Sequence, residues 1–232
     1  MRKEEVASWE HNVRRLRDSD TTLTELTLTY TSIGKDRWRE LGEALSDNST
    51  LTSLNLGLCG ITAAGAAHLA EGVGKSTSLA TLNLRSYHLG DSGAQALCAA
   101  LAATSTLTSL DLGYCGITAA GAAHLAEGVG KSASLATLNL FGNNQIGDSG
   151  AQALGATLAA TSTLTSLNLG NCGITVAGAA HLAEGVGKSA SLATLILWSN
   201  KIGDSGAQAL GAALAATSTL TSLYLGDRKS VV

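Results

Sequence analysis

Leucines recur along this chain at a fixed spacing. From Leu51 the apolar positions are Leu51, Leu54, Leu56, Cys59 and Ile61, set among Thr, Ser, Asn and Gly. The Leu54/Leu56 alternation is that of a strand with one face turned to a core. The residues that follow change period. In the segment from Leu79, Ala94, Leu97, Cys98 and Leu101 fall at i, i+3, i+4 and i+7, one apolar face of a helix. Strand and helix make a unit of 28 residues, and the unit repeats. LTSLNLGLCGITAAGAAHLAEGVGKSTS from Leu51 returns nearly unchanged from Leu107 and Leu164. LATLNLRSYHLGDSGAQALCAALAATST from Leu79 returns from Leu135 and Leu192, with one extra residue in the Leu135 copy. Self-similarity at this period predicts a solenoid, in which each unit covers its neighbour's open face.

The same pattern divides the chain. Residues 23–226 form the array, with units from Leu23, Leu51, Leu79, Leu107, Leu135, Leu164 and Leu192 and a partial unit from Leu220. Residues 1–22 carry Val6, Trp9, Val13 and Leu16 at spacings of three and four, which predicts an amphipathic helix capping the first unit. Trp38 supports the cap, because it stands where Ala66, Ala94, Ala122, Ala179 and Ala207 stand elsewhere. Residues 227–232 match no part of any unit. Their back-translation GATCGGAAGAGCGTCGTG resembles a sequencing-library adapter, so this tail is expected to be foreign to a longer repeat protein.

Helix boundaries are expected from local signals. Ser92-Gly93-Ala94-Gln95 has capping-box spacing, as do the copies from Ser149 and Ser205. Thr62, Thr118 and Thr175 are expected N-caps. Gly74, Gly130 and Gly187 are expected to end their helices with φ > 0. Strands stack ~4.8 Å apart and helices ~8–10 Å apart, so the array must curve, with the sheet inside.

The ladder L-x-x-L-x-L-x-x-(N/C)-x-(I/L), repeated from Leu23 to Leu225, resembles the leucine-rich repeat of the ribonuclease-inhibitor type. The resemblance implies an α/β horseshoe of about 7.5 repeats of 28–29 residues, with a parallel sheet on the concave side and helices on the convex side. Similar repeats form the ligand-sensing ends of NACHT-type innate sensors and ribonuclease inhibitor, which act by surface complementarity. They also occur in the GTPase-activating protein of the Ran type, which the I-G-D-x-G-A runs at Ile146 and Ile202 resemble. Three uses follow as expectations: a non-catalytic scaffold for a protein partner, a GTPase activator, or a structural segment of a longer repeat protein.

Composition narrows the partners. The net charge is −3 with no basic block, so nucleic acid is not an expected partner. No apolar run reaches the roughly 18 residues of a membrane span, and the N-terminal segment has no secretory core. Charge gathers at the front, where residues 1–50 hold 8 of 15 basic and 10 of 18 acidic side chains. Cys59, Cys115 and Cys172 lie two strands apart, ~10 Å, too far for disulfides, and read as the buried Cys or Asn that completes the turn, as Asn143 and Asn200 do. Cys98 takes the place of Ala or Gly on the inner helix face. Four unpaired thiols suit a reducing compartment, so a cytoplasmic location is expected.

No enzyme chemistry is expected. Gly72-Val73-Gly74-Lys75-Ser76 evokes a phosphate loop, but Leu69 stands where the motif needs Gly and the helix precedes the strand. His68, His124 and His181, each three residues before a Glu, are too far apart to share a metal and read as exposed His–Glu pairs. No acid, base and nucleophile recur together, and no cofactor, metal or small-molecule substrate is expected.

Candidate function lies where the units differ. The outward positions of each unit are the third, fifth and seventh, with the eighth just beyond. The fifth is a polar row, Asn55, Asn83, Asp111, Asn139 and Asn168, broken by Ile196 and Tyr224. The seventh alternates Gly57, Gly113 and Gly170 with Arg85, Phe141 and Trp198. Tyr30 and Tyr114 hold the eighth, and Tyr87 sits beside them at the Asn/Cys position. Aromatic side chains and Arg are the usual anchors of protein interfaces. Tyr30, Arg85, Asp111, Tyr114, Phe141, Trp198 and Tyr224 are therefore the expected partner-binding residues on a concave face, with the glycines leaving slots between them. The bland reading is drift at positions the fold leaves free.

Overall fold

The computed structural model describes residues 3–29 and 33–226; Tyr30 and the tail 227–232 lie outside the described residues. The chain opens with helix α1 (Lys3–Arg17). Strand and helix then alternate as β1 (Glu25–Thr27), α2 (Lys35–Asp47), β2 (Ser53–Asn55), α3 (Ala63–Lys75), β3 (Thr81–Asn83) and α4 (Gly90–Ala103). They continue as β4 (Ser109–Asp111), α5 (Ala119–Lys131), β5 (Thr137–Asn139), α6 (Gly147–Ala160), β6 (Ser166–Asn168), α7 (Val176–Lys188), β7 (Thr194–Ile196), α8 (Gly203–Ala216) and β8 (Ser222–Tyr224). The strands form one parallel sheet in sequence order, β1 to β8.

Register is position for position. Leu26 pairs with Leu54, Leu54 with Leu82, and so on to Leu195 with Leu223. Identical units stacked with no slip put every fourth-position Leu in one row, and Leu54, Leu82, Leu138, Leu167 and Leu195 are fully buried. The first-position and sixth-position leucines close the row from either side, while Ala66, Ala94, Ala122, Ala151 and Ala179 bring the helices down onto it. A parallel strand has two hydrogen-bonding edges, and here the two adjoining units supply partners for both.

α1 covers the outer face of the first unit. Trp9, Val13 and Leu16 are buried there. Trp9 Nε1 donates to Glu40 Oε2 at 2.9 Å, and Asn48 Nδ2 donates to the Leu16 carbonyl at 2.8 Å. Trp38 is buried against Gly65 of the next unit, where a Cβ would come within 2.8 Å of the indole.

Two local expectations are overturned. Ser92, Ser149 and Ser205 do not cap. Their helices start at Gly90, Gly147 and Gly203, all with φ between 55° and 62°, and none has a side-chain cap bond of its own. The cap instead crosses between units. Asp91 Oδ1 accepts from the backbone N–H groups of Thr118 (2.8 Å) and Gly121 (3.1 Å), and Asp91 Oδ2 accepts from the Thr118 hydroxyl. Asp148 does the same for Thr175 and Gly178. Gly121 and Gly178 are required, since a Cβ on either would collide with the carboxylate. α3, preceded by a unit with Lys35 where those before α5 and α7 have Asp91 and Asp148, is capped by its own Thr62, which accepts from Gly65 N–H.

Gly74, Gly130 and Gly187 likewise do not end their helices in the left-handed region. They lie inside α3, α5 and α7, where they sit against Ala100, Thr157 and Ala213 of the next helix. The chain leaves each helix through an extended Ser76, Ser132 or Ser189, whose hydroxyl accepts the N–H of the first Leu of the next unit. Extended backbone there leads straight into the following strand, so no reversal is needed.

The Asp148 carboxyl is pushed up by burial, but the bonds from Thr175 and Gly178 outweigh this and hold it below the usual carboxylate range. A depressed carboxylate contributes stability that is full above its unfolded value, about pH 4, and is lost as pH falls through the folded one. Asp148→Ala should therefore cost about 2 kcal/mol at pH 7 in urea unfolding, with the gap to wild type shrinking as the pH drops below about 4. A gap unchanged at pH 2.5 would place its source elsewhere.

Candidate functional site

The fifth-position row has a local job. Asn55, Asn83, Asp111, Asn139 and Asn168 each accept, through Oδ1, the N–H two residues on, at 2.8–3.0 Å. This Asx turn bends the chain out of each strand. Asp111 also accepts from Asn139 Nδ2 at 3.0 Å, so both of these residues serve the sheet's own edge.

Past the bend, the eighth position enters the left-handed region. Leu58, Tyr114, Asn171 and Ser199 have φ between 52° and 60°, and Gly142 has φ 78°. For a residue with a side chain this costs about 1–2 kcal/mol. The turn is closed below by the ninth position. Asn143 Nδ2 donates to the carbonyls of Leu112 and Leu140, and its Oδ1 accepts from Ile117 N–H. Cys115 and Cys172 occupy the same place and donate to the carbonyls of Leu84 and Leu140. Burial pushes both thiols up to about 12, so neither is a nucleophile. Cys98 is half-buried, and its thiol is also raised, by burial and then by Glu127.

This scaffold assembles a strip of rings. Tyr87 and Tyr114 lie 6.1 Å apart, Tyr114 and Phe141 meet edge-on at 4.9 Å, and Phe141 and Trp198 lie 4.6 Å apart. The Arg85 guanidinium sits 4.6 Å over the Tyr114 ring. Phe141 and Trp198 belong to strands two steps apart. They touch because Gly170 stands between them, where a Cβ would be 3.1 Å from each ring. The expected slot over Gly170 is thus filled by rings, and the side chain of Arg85 lies 3.9 Å from the Cβ place of Gly113. The surface is a ridge, not a row of slots.

Of the expected residues, Arg85, Tyr114, Phe141 and Trp198 come together. Asp111 lies beside them, engaged by Gly113 and Asn139. Tyr224 is 54% exposed on β8, next to Ile196 on β7. Tyr87 was not among them, yet it joins the strip. Ser86 turns inward (1% exposed) in its unit and Tyr87 turns out (63% exposed). Spacing alone put Tyr87 at the buried ninth position; the signal against that was its size, since no phenol fits where Cys and Asn do.

The helix side offers less. Glu71, Glu127 and Glu184 form ion pairs with Lys75, Lys131 and Lys188 one turn on, and the charges of His124 and His181 add a smaller pull on Glu127 and Glu184. Two clefts of about 260 and 280 Å³ open beside His181 and His68. A wider trough of about 410 Å³ between α3 and α4 is lined mostly by alanines, with Glu71, Gly74 and Lys75. Gly72 to Lys75 are helical, so they form no anion-binding loop. Among the described residues no three of His, Cys, Asp and Glu are grouped to hold a metal, and no helix is long and apolar enough to cross a membrane.

Comparisons place the chain among known sequences and folds. A family described as "Leucine Rich repeat" matches residues 47–70, 75–98, 104–126, 131–155, 161–183 and 188–211. No curated protein matches. Solved structures that match include leiomodin-1 actin-binding site 2, at 18% identity and TM-score 0.49, covering 78% of this chain and 90% of that one. They also include the tropomodulin C-terminal domain of Caenorhabditis elegans, at 16% identity and TM-score 0.37, covering 90% and 92%.

The ridge depends on Gly142. Its φ of 78° disfavours a side chain, and a Cβ there would approach Tyr114 Cδ1 to 2.7 Å. Gly142→Ala should destabilise by about 1–2 kcal/mol in urea unfolding. It should also displace Tyr114, read as a changed near-ultraviolet tyrosine signal in the folded protein.

Proposed function

The chain belongs to the leucine-rich repeat family, and on that premise we propose that it is a non-catalytic scaffold that binds a protein partner along the ring-bearing ridge. The observation that carries this reading is the continuity of the ridge. Arg85, Tyr87, Tyr114, Phe141 and Trp198 come from four different units, yet each ring contacts the next. Drift at unconstrained positions scatters side chains, whereas here the repeat's own glycines at 113 and 170, with Gly142, leave room that these side chains fill in mutual contact. Aromatic side chains held by their neighbours lose little entropy on binding, which is what makes them effective anchors.

The sheet side supports the reading in a second way. Helices cover only one face of the sheet, and the other is left to solvent with its loops fixed by Asx turns. Such a surface is largely preformed, so a partner meets it with little rearrangement. Cys98, Cys115 and Cys172 are thiols rather than disulfides, which suits a reducing compartment, and we place the protein in the cytoplasm on that ground. The run from Ile146 that resembles the Ran activators is spent on structure: Gly147 makes the left-handed helix start, and Asp148 caps α7.

Replacing Arg85, Phe141 and Trp198 together with Ala tests the proposal. Arg85 is exposed and Phe141 and Trp198 are half-buried outside the leucine core, so far-ultraviolet circular dichroism should stay close to wild type and the variant should remain folded. Three anchors of this kind together are worth about 3 kcal/mol or more, so a partner captured by wild type should bind the variant at least about 100-fold more weakly. Equal binding by a folded variant would remove the ridge from the interface.

A further inference from the structure

We infer that the ridge takes an extended, acidic segment of a partner protein, with a carboxylate on Arg85 and apolar side chains along Tyr114, Phe141 and Trp198. This rests on the proposed use of the ridge as the binding surface. Three observations point to that occupant.

The first is charge. The chain as a whole is net −3, but its strand-to-helix loops are not acidic. Residues 57–61, 85–89, 113–117, 141–146, 170–174 and 198–202 contain Arg85, His88 and Lys201 and no Asp or Glu. The nearest carboxylates face other tasks: Asp111 holds Gly113 and Asn139, and Asp91 and Asp148 hold the starts of α5 and α7. Asp111 keeps its charge beside Gly113, so the attraction for an incoming carboxylate is local to Arg85, where a guanidinium over a ring keeps its in-plane N–H fork for one.

The second is shape. The ridge is one side chain wide and crosses from β3 to β7, four strand steps or roughly 19 Å. About six extended residues span that length at ~3.3 Å each. A globular face would need roughly 800 Å² of matching surface, far more than a single row of rings supplies.

The third decides against single-stranded nucleic acid, which also uses basic and aromatic side chains. Bases stack on open ring faces. Here Tyr114 and Phe141 meet at 90°, Tyr87 and Tyr114 at 56° and Phe141 and Trp198 at 33°, so the rings do not form one run of parallel platforms. Their edges and gaps suit aliphatic side chains instead.

The test is to pan a phage-displayed random dodecapeptide library against the full chain. The enriched peptides are synthesised and their affinities measured by fluorescence anisotropy. The expected binders carry Asp or Glu beside an apolar run, and Arg85→Ala weakens them at least about tenfold. Changing the peptide's acidic residue to its amide should cost the same, with no further loss when both changes are combined. Suppose instead the binders depend on Phe141 and Trp198 but lack an acidic residue or ignore Arg85→Ala. The ridge then remains the binding surface and the acidic occupant is wrong. Should no peptide be recovered, or should every binder be indifferent to Phe141→Ala/Trp198→Ala, the ridge reading falls and this inference with it. Micromolar binding of a dT12 oligonucleotide that Arg85→Ala abolishes, without peptide binders, would overturn it in favour of nucleic acid.

Discussion

Each unit of this protein has hydrogen-bonding groups that only its neighbour satisfies, and the rest of the structure follows from that dependence. Strand edges pair in register from β1 to β8. The ninth-position Asn or Cys reaches back to a carbonyl of the preceding unit. Hydroxyls of Ser78, Thr106, Ser134 and Ser191 do likewise at the other end of the strands. Among the described residues no buried side-chain nitrogen or oxygen is left without a partner. A single unit in isolation would expose all of these groups, so stability in such an array arises at the interfaces between units.

Much of this was legible in the sequence because repetition makes a weak local signal strong. One L-x-x-L-x-L is ambiguous; seven at constant spacing leave a single way to bury all the leucines at once. The in-register sheet, the helix faces and the buried ninth position all follow from that. The helix caps were misread for a physical reason. Ser92 and Gln95 have the spacing of a capping box, but spacing within a unit says nothing about the carboxylate that arrives from the unit before. Asp91 lies 27 residues from Thr118, a distance that only the stack makes short. The glycines at 74, 130 and 187 misled in the same way, because small size at a helix end serves equally for a turn or for contact with the next helix.

The ridge was half legible. Arg85, Tyr114, Phe141 and Trp198 stood out as departures from the repeat, and position parity put them on the outer face of the strands. Their contacts were not foreseeable, since Phe141 and Trp198 belong to strands that are not adjacent. Only the empty place at Gly170 lets them meet. Tyr87 was legible only through its size, because the chain trades it for Ser86 at the buried position. The proposed binding surface is thus made of exceptions, and the regular units supply a frame that holds those exceptions at fixed distances.

The crossed carboxylates bear on how such a gene changes length. A block carrying Asp91 fits only ahead of one carrying Thr118 and Gly121, and the reverse junction uses different contacts. Unequal recombination that removes two successive blocks re-creates a junction already present elsewhere in the chain. Removing one block would instead leave the start of α5 to its own Thr118, as α3 is left to Thr62, or bring Asp91 up against Asp148. Copy number in this array should therefore drift in steps of two, with odd intermediates purged for instability.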